Sequence, residues 1–152
     1  MAAPIRSRCA PEIAVHRELP GKLDLVWTRV EPILQRAVQR GRGHYTTRDI
    51  FALIQKGEQQ LWTITEDGRI IAGLVSEVRF SPAGRGTLTV YCAAGKEVRR
   101  WLPRAIGVIS SYAHQRGCSE LRVVGRRGWQ RYLKPYGFFQ ESIVLVKDEV
   151  FE

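Results

Sequence analysis

The chain has 152 residues, of which 44% are apolar and 26% are charged. This length and composition predict one globular domain, spanning 1–152, with a hydrophobic core of its own, and they exclude a disordered or fibrous chain. No stretch approaches the roughly 20 consecutive apolar residues that a membrane-spanning helix needs. No membrane role is therefore expected.

The net charge of +9 is unevenly distributed along the chain. Residues 95–136 hold ten Lys or Arg against two Glu, whereas residues 46–94 are balanced and residues 137–152 are acidic. Such a local excess of positive charge indicates a polyanionic neighbour, such as nucleic acid, a phosphorylated ligand or an acidic protein surface. A solubilising surface without a partner explains the same charge and stays open as the alternative.

The cysteines give little sign of chemistry. Cys9, Cys92 and Cys118 are odd in number and lack Cys-x-x-Cys spacing, and the three histidines are isolated from them and from one another. Neither a disulfide framework nor a metal site is expected, and a reducing compartment fits best. The N-terminus has no apolar run of the kind found in signal peptides, so we expect a soluble, intracellular protein.

Hydrophobic periodicity predicts three elements in the first third of the chain: a strand over 12–19, a helix over 23–40 and a helix over 47–57. Pro32 lies inside the first helix and predicts either a kink or a division into two helices. Thr46 and Asp49 have the spacing of a capping box at the start of the second helix.

The hydrophobic period then changes to that of strands. Three antiparallel strands are predicted in series, followed by alternating helices and strands: strands over 60–66, 69–80 and 87–93, a helix over 96–116, a strand around 121–124, a basic turn over 125–128, a short helix from Trp129 and a last strand over 140–147. Asp67-Gly68 predicts a tight hairpin turn, and Pro135 and Gly137 end the last helix. The order predicts a mixed, mostly antiparallel central sheet with helices on both faces, in the α+β (α/β) class.

Two stretches carry a resemblance to a known family. Tyr132-Leu-Lys-Pro-Tyr-Gly-Phe138 resembles the helix end and Tyr-x-x-x-Gly-Phe sequence that precede the last strands of the GCN5-related N-acetyltransferases (GNAT). The order of predicted elements is similar to the GNAT fold over nearly the whole length, and residues 117–129 resemble GNAT-like proteins of tailed bacteriophages. The resemblance implies a GNAT-like fold.

The same resemblance implies two different functions. One is a non-catalytic virion or accessory component of a phage, made in the host cytoplasm, taken up into the virion and docked on protein or nucleic acid. The other is an active N-acetyltransferase that transfers an acetyl group from acetyl-coenzyme A (acetyl-CoA) to an amine.

The family binds acetyl-CoA through a glycine-rich loop whose amides meet the pyrophosphate at a helix N-terminus. The matching stretch here predicts five cofactor contacts: Ala94, Gly95, Lys96, Arg99 and Arg100. It has a single glycine, and its Glu97 would repel a pyrophosphate. We therefore expect no cofactor on the non-catalytic interpretation, and acetyl-CoA if the enzyme interpretation is right. A plain helix start with Glu97 near the helix dipole is the alternative.

The catalytic residues that the resemblance implies are incomplete. The family often has a proton-donating tyrosine four residues before the glycine of the Gly-Phe pair, and that position is Leu133 here. Tyr132 is the nearest residue of the same kind, and Glu77 on a central strand is the only reasonable carboxylate base. A core position for Tyr132 and a solvated position for Glu77 are the alternatives.

A basic stretch with interleaved aromatic residues predicts a binding surface. Its members are Arg122, Arg126, Arg127, Trp129, Arg131 and Lys134. This mixture suits contact with a phosphate backbone or an acidic protein. Assembly partners such as virion proteins, nucleic acid and further copies of the chain are the expected partners, with a solvated face as the alternative. Trp129 is expected to be largely buried against the sheet, where its indole either fills the cofactor cleft or only anchors the helix on the sheet.

Overall fold

The structure, a computed structural model, describes residues 11–148, so Cys9 and the N-terminal sequence lie outside the described residues. Its centre is a five-stranded sheet whose strands are in chain order: β1 Ile13–Glu18, β2 Gln59–Glu66, β3 Arg69–Phe80, β4 Gly86–Gly95 and β5 Cys118–Val123. Strands β1 to β4 are antiparallel to their neighbours, and β5 is parallel to β4. The predicted mixed, mostly antiparallel sheet is confirmed.

Four helices cover this sheet: α1 Leu23–Gln39, α2 Thr47–Gln55, α3 Val98–Gln115 and α4 Trp129–Leu133. Short 3-10 turns at Pro20–Lys22 and Lys134–Tyr136 precede α1 and follow α4. The apolar sides of α1 and α2 form one core with one face of the sheet, and those of α3 and α4 form a second core with the other face. Helices on both faces are therefore confirmed. Within residues 11–148 no helix is both long and apolar enough to cross a membrane.

Two local sequence signals position the elements as expected. The Thr46 side chain accepts a hydrogen bond from the Asp49 amide, and the Asp49 carboxylate accepts one from the Thr46 amide, which is the predicted capping box of α2. Asp67 and Gly68 have φ angles of 48° and 81° and join β2 to β3 in a tight turn. Left-handed values at both central residues match the twist of the two strands.

Helix α1 runs unbroken through Pro32, so the division into two helices is wrong. Pro32 lies on the exposed side of the helix. On the opposite side Leu23, Val30 and Leu34 are at most 1% exposed. The burial of these three side chains offsets the hydrogen bond that proline removes from the helix.

The predicted last strand over 140–147 is not formed, because these residues make no ladder with β5. Arg122 holds the near end through Glu141 at 2.7 Å, and Arg42 holds the far end through Asp148. Between these ion pairs four consecutive apolar residues, 143–146, are exposed, and Leu145 is 90% exposed. A period-2 pattern describes which side chains suit a strand, whereas strand formation also requires a backbone partner.

Candidate functional site

The gap between β4 and β5 is where the family resemblance implies a cofactor. The two strands pair only from Gly86 to Val90 of β4, and the rest of β4 continues to Gly95 without β5 beside it. The remaining opening is a cavity of about 30 Å³ with an apolar lining that includes Ala93, Ile106 and Trp129. Ligand pockets measure about 300–1,000 Å³, so this opening is about an order of magnitude too small for a ligand.

Trp129 occupies much of this opening. Its ring centroid lies 6.5 Å from that of Trp101 and 6.1 Å from that of Tyr132. A Cβ atom at Gly125 would come within 3.0 Å of the Trp129 ring, so the indole lies directly on the turn after β5. Trp129 packs against the core between α3 and the sheet and is largely, though not completely, buried, as predicted.

Both backbone groups of Lys96, just before α3, already have partners. The Lys96 carbonyl accepts a hydrogen bond of 2.9 Å from the indole N–H of Trp101, and the Lys96 amide donates one of 3.4 Å to the Ile71 carbonyl. Glu97 is the N-cap residue, with φ 54° and ψ 49°, and its side chain makes no capping hydrogen bond. The Lys96 amide is therefore occupied, and a carboxylate stands at the entrance where a pyrophosphate would approach.

Close packing between two strands explains why position 95 is a glycine, and the sequence alone did not reveal this. A Cβ atom there would lie 2.3 Å from the Ala72 Cβ, 2.8 Å from the Ala72 Cα and 2.9 Å from the Ile71 carbonyl oxygen. Ala72 is its partner across the β3–β4 ladder and is fully buried. The close approach of the two strands therefore explains the glycine without any phosphate.

The cations predicted to meet a cofactor have other contacts. Arg100 forms ion pairs of 2.9 Å with Glu66 and 2.5 Å with Glu97, and these two carboxylates raise the pKa of its guanidinium. Arg99 lies over the Tyr132 ring at 5.3 Å, which is a cation–π distance. Glu66 lies 34 residues from Arg100, so no local signal could have found this pair.

The two predicted catalytic residues lie on opposite faces of the sheet. Tyr132 packs with the core under α3 and α4, and its hydroxyl accepts a hydrogen bond of 3.1 Å from Arg131. Ser76 hydrogen-bonds Trp62 in that same core, so its neighbour Glu77 points to the other face, where it pairs with Arg79 at 3.0 Å. The structure does not bring the predicted base and proton donor together, and their roles stay predictions.

On the Glu77 face a second polar side chain, Tyr91, is half-buried. The Tyr91 hydroxyl donates a hydrogen bond to the side-chain oxygen of Gln59, and its ring lies 5.0 Å from that of Tyr45. Burial, followed by the nearby Cys92 thiol, raises the pKa of Tyr91 well above its usual value. The phenol is therefore held in its neutral form.

The predicted partner-binding residues divide into two groups. Arg122 is paired with Glu120 at 3.0 Å and with Glu141 at 2.7 Å, and the hydrogen bond to Glu120 raises the pKa of its guanidinium most. Arg131 lies 4.9 Å over the Tyr132 ring. The other cations, Arg126, Arg127 and Lys134, are exposed around α4. Across residues 11–148 no three His, Cys, Asp or Glu side chains gather closely enough to hold a metal ion.

Comparison with known proteins identifies the fold. An aminoglycoside acetyltransferase from an uncultured soil metagenomic sample, solved with sisomicin, matches with a TM-score of 0.67 and 12% identity over 92% of this chain and 97% of that one. A ribosomal-protein-alanine N-acetyltransferase from Brucella melitensis biovar Abortus 2308 matches with a TM-score of 0.66 and 15% identity over 91% and 100%. An aminoglycoside N-acetyltransferase solved with CoA matches with a TM-score of 0.66 and 11% identity over 94% and 98%. The chain has a GNAT-like fold.

Sequence comparison adds no closer relative. No protein-family model matches the chain. No curated protein matches it either. At 11–15% identity the structural similarity defines the fold alone, and function has to be argued from the residues of the site.

Proposed function

We propose that this chain uses a GNAT-like fold as a docking module for another macromolecule and not as an acetyltransferase. The observation that carries this proposal is the cleft between β4 and β5, where Trp129 and its neighbours leave a cavity of about 30 Å³. A pantetheine arm needs a channel about an order of magnitude larger. Opening one would require the indole to leave its contacts with Trp101 and Gly125.

The start of α3 supports the same conclusion. Glu97 presents negative charge where a pyrophosphate would bind, and Arg100 is held by Glu66 and Glu97. Gly95 packs so closely against Ala72 that the strand packing alone requires a glycine at this position. A pyrophosphate at this helix end would therefore meet a carboxylate before it met free amides.

Titration calorimetry with acetyl-CoA tests the proposal. We expect no saturable heat up to about 1 mM cofactor, which corresponds to a binding free energy weaker than about −4 kcal/mol. Saturable micromolar binding would overturn the proposal, and its loss on Arg99→Glu would then place the cofactor at the start of α3. Lys56→Glu, an exposed charge reversal at the end of α2, is the matched control.

Two exposed surfaces suit the docking role. One is the apolar run 143–146, which would suit a protein partner or another copy of the chain. The other is the group of cations around α4, Arg126, Arg127 and Lys134, which would suit a polyanion. Assembly into the virion of a tailed bacteriophage is the proposed setting, and it rests on the sequence resemblance alone.

The apolar run can be tested by light scattering coupled to gel filtration. Replacement of Val144 and Leu145 by Lys should remove any self-association of the wild-type chain, because charges disfavour burial of this segment. Lys replacement of the exposed Thr28 and Gln39 on α1 adds the same two charges and is the matched control. Identical association of all three proteins would exclude the run as the contact between copies.

An acetyltransferase is the second candidate, favoured by the placement of Tyr132 beside Arg99 next to the first turn of α3. This function would use acetyl-CoA and transfer its acetyl group to an amine, with the thiol of CoA as the leaving group. Release of free thiol in the presence of a panel of amines would support it. Thiol release that is abolished by Tyr132→Phe would also assign that phenol as the proton donor.

A further inference from the structure

An open groove of about 580 Å³ lies between β1 and α3, away from the β4–β5 gap. β1 is the edge strand of the sheet, and its Arg17 forms one wall. The other wall is the exposed side of α3, with Arg104, Ser111, Tyr112 and Gln115. The ring of the buried Trp62 meets Tyr112 edge-on at 5.3 Å, which fixes the base of the groove. The volume lies within the range of small-ligand sites.

The lining of this groove is positive and contains no carboxylate. The Arg17 guanidinium lies 4.8 Å over the Tyr112 ring, and that of Arg116 lies 5.5 Å from the same ring. Arg104 donates a hydrogen bond to the Ile13 carbonyl, which holds it across one end of the groove. Arginine heads are thus positioned on both walls by aromatic and backbone contacts.

The two arginines of the groove, like Arg126 and Arg127 on the turn before α4, form no ion pair with Asp or Glu among residues 11–148. Five arginines elsewhere in residues 11–148 form ion pairs with Asp or Glu: Arg42, Arg79, Arg85, Arg100 and Arg122. Within the same described residues neither Arg17 nor Arg104 forms such a pair. Arg17 can therefore offer its N–H donors, and Arg104 the donors that do not bond the Ile13 carbonyl, to an anion that enters the groove.

Gly107 gives a second, independent observation. It lies in the middle of α3 and lines the groove, and a Cβ atom there would meet nothing within 4 Å. Glycine is among the least favourable residues for a helix interior, so packing and helix propensity both favour a larger residue. A side chain at this position would project into the groove, and its absence keeps the groove open.

We propose that the groove between β1 and α3 binds a phosphate-bearing anion. Arg17 and Arg104 would pair with the phosphoryl oxygens, since guanidinium forks match phosphate geometry and two cations balance a dianion. Ser111 and Gln115 would offer hydrogen bonds to the rest of the ligand. The site shares no residue with the β4–β5 cleft and does not depend on acyl-CoA.

Calorimetry with inorganic pyrophosphate tests the site. The wild-type protein should bind it saturably, and Arg17→Ala with Arg104→Ala should weaken binding at least tenfold. Gly107→Leu should weaken it similarly while keeping both cations, because the new side chain fills the groove. Arg36→Ala with Arg40→Ala removes the same charge from the exposed side of α1, on the other face of the sheet, and should leave binding within twofold of wild type.

Thermal melting of every variant shows whether a loss of binding reflects unfolding, and Gly107→Leu is expected to melt no lower than wild type. The proposal is overturned if wild type shows no saturable binding up to about 10 mM. It is also overturned if folded Gly107→Leu binds normally, or if both arginine pairs lose binding equally. A mononucleotide and a short single-stranded DNA distinguish the ligand's source: saturable binding of the mononucleotide indicates a free phosphate ester, and binding of DNA alone indicates a nucleic-acid backbone.

Discussion

Gly95→Ala tests whether this glycine serves strand packing or a cofactor. In the structure the added methyl group would lie 2.3 Å from the Ala72 Cβ and 2.9 Å from the Ile71 carbonyl oxygen. Carbon atoms at van der Waals contact are about 3.5–4.0 Å apart, so β3 and β4 would have to separate by more than about 1 Å at this point. The substitution should destabilise the protein whether or not any cofactor is present.

Its magnitude follows from the cost of inserting one methyl group into a packed site, about 1–3 kcal/mol. In a domain of this size each kcal/mol shifts the melting temperature by about 2–4 °C, so Gly95→Ala should melt roughly 2–12 °C below wild type. Ala72→Gly removes one of the clashing atoms. The double variant should therefore lose less stability than the sum of the two single variants.

Thermal and urea denaturation provide the assay, and Gly107→Ala provides the control. A Cβ atom at Gly107 meets nothing within 4 Å, and alanine is the better helix former, so this variant should be stabilised by about 0.5–1 kcal/mol. A Gly95→Ala protein that melts within 1 °C of wild type would refute the packing argument. Close approach of a ligand to the backbone would then become the better reason for the glycine.

Three further predictions concern single features. Trp129→Ala should cost about 1.5–3 kcal/mol in urea denaturation, below the 3–5 kcal/mol of a fully buried aromatic residue, and no measurable loss would contradict its place in the cleft. Burial raises the pKa of the Cys92 thiol from its ordinary value of 9.0 to about 11, so its contribution to stability is complete below pH 9 and is lost as the pH rises towards 11. Cys92→Ala should flatten the melting temperature over that interval, and an unchanged slope would count against the assignment. Arg126→Glu with Arg127→Glu should change stability by about 0.5 kcal/mol at most and reduce retention on DNA at low salt, whereas unchanged retention would remove nucleic acid as the partner of this turn.

The fold was predictable wherever a few neighbouring residues determine the backbone. The Thr46 and Asp49 side chains satisfy each other's amides, and Asp67-Gly68 adopts the left-handed angles that a tight hairpin needs. The segment 140–147 has equally good strand character, but a strand also needs a neighbour whose backbone groups it can pair with. Ion pairs at its two ends hold it in another path. Local sequence therefore predicted the type of each element better than its pairing.

The chemistry of the site was less predictable from the sequence, because it depends on which side chains already have partners in the fold and not on residue type alone. The sequence has a glycine and three cations at the start of α3, and these residue types are typical of a phosphate-binding loop. In the fold, Gly95 packs closely against Ala72 on β3, and Arg100 forms an ion pair with Glu66 on β2. Both contacts depend on strands that are distant in sequence. By contrast, Arg17 and Arg104 come from elements 87 positions apart and look unremarkable in the sequence, yet the fold brings them to one groove without a carboxylate. The proposed phosphate site therefore rests on two cations that the fold brings together, which charge counted along the chain does not reveal.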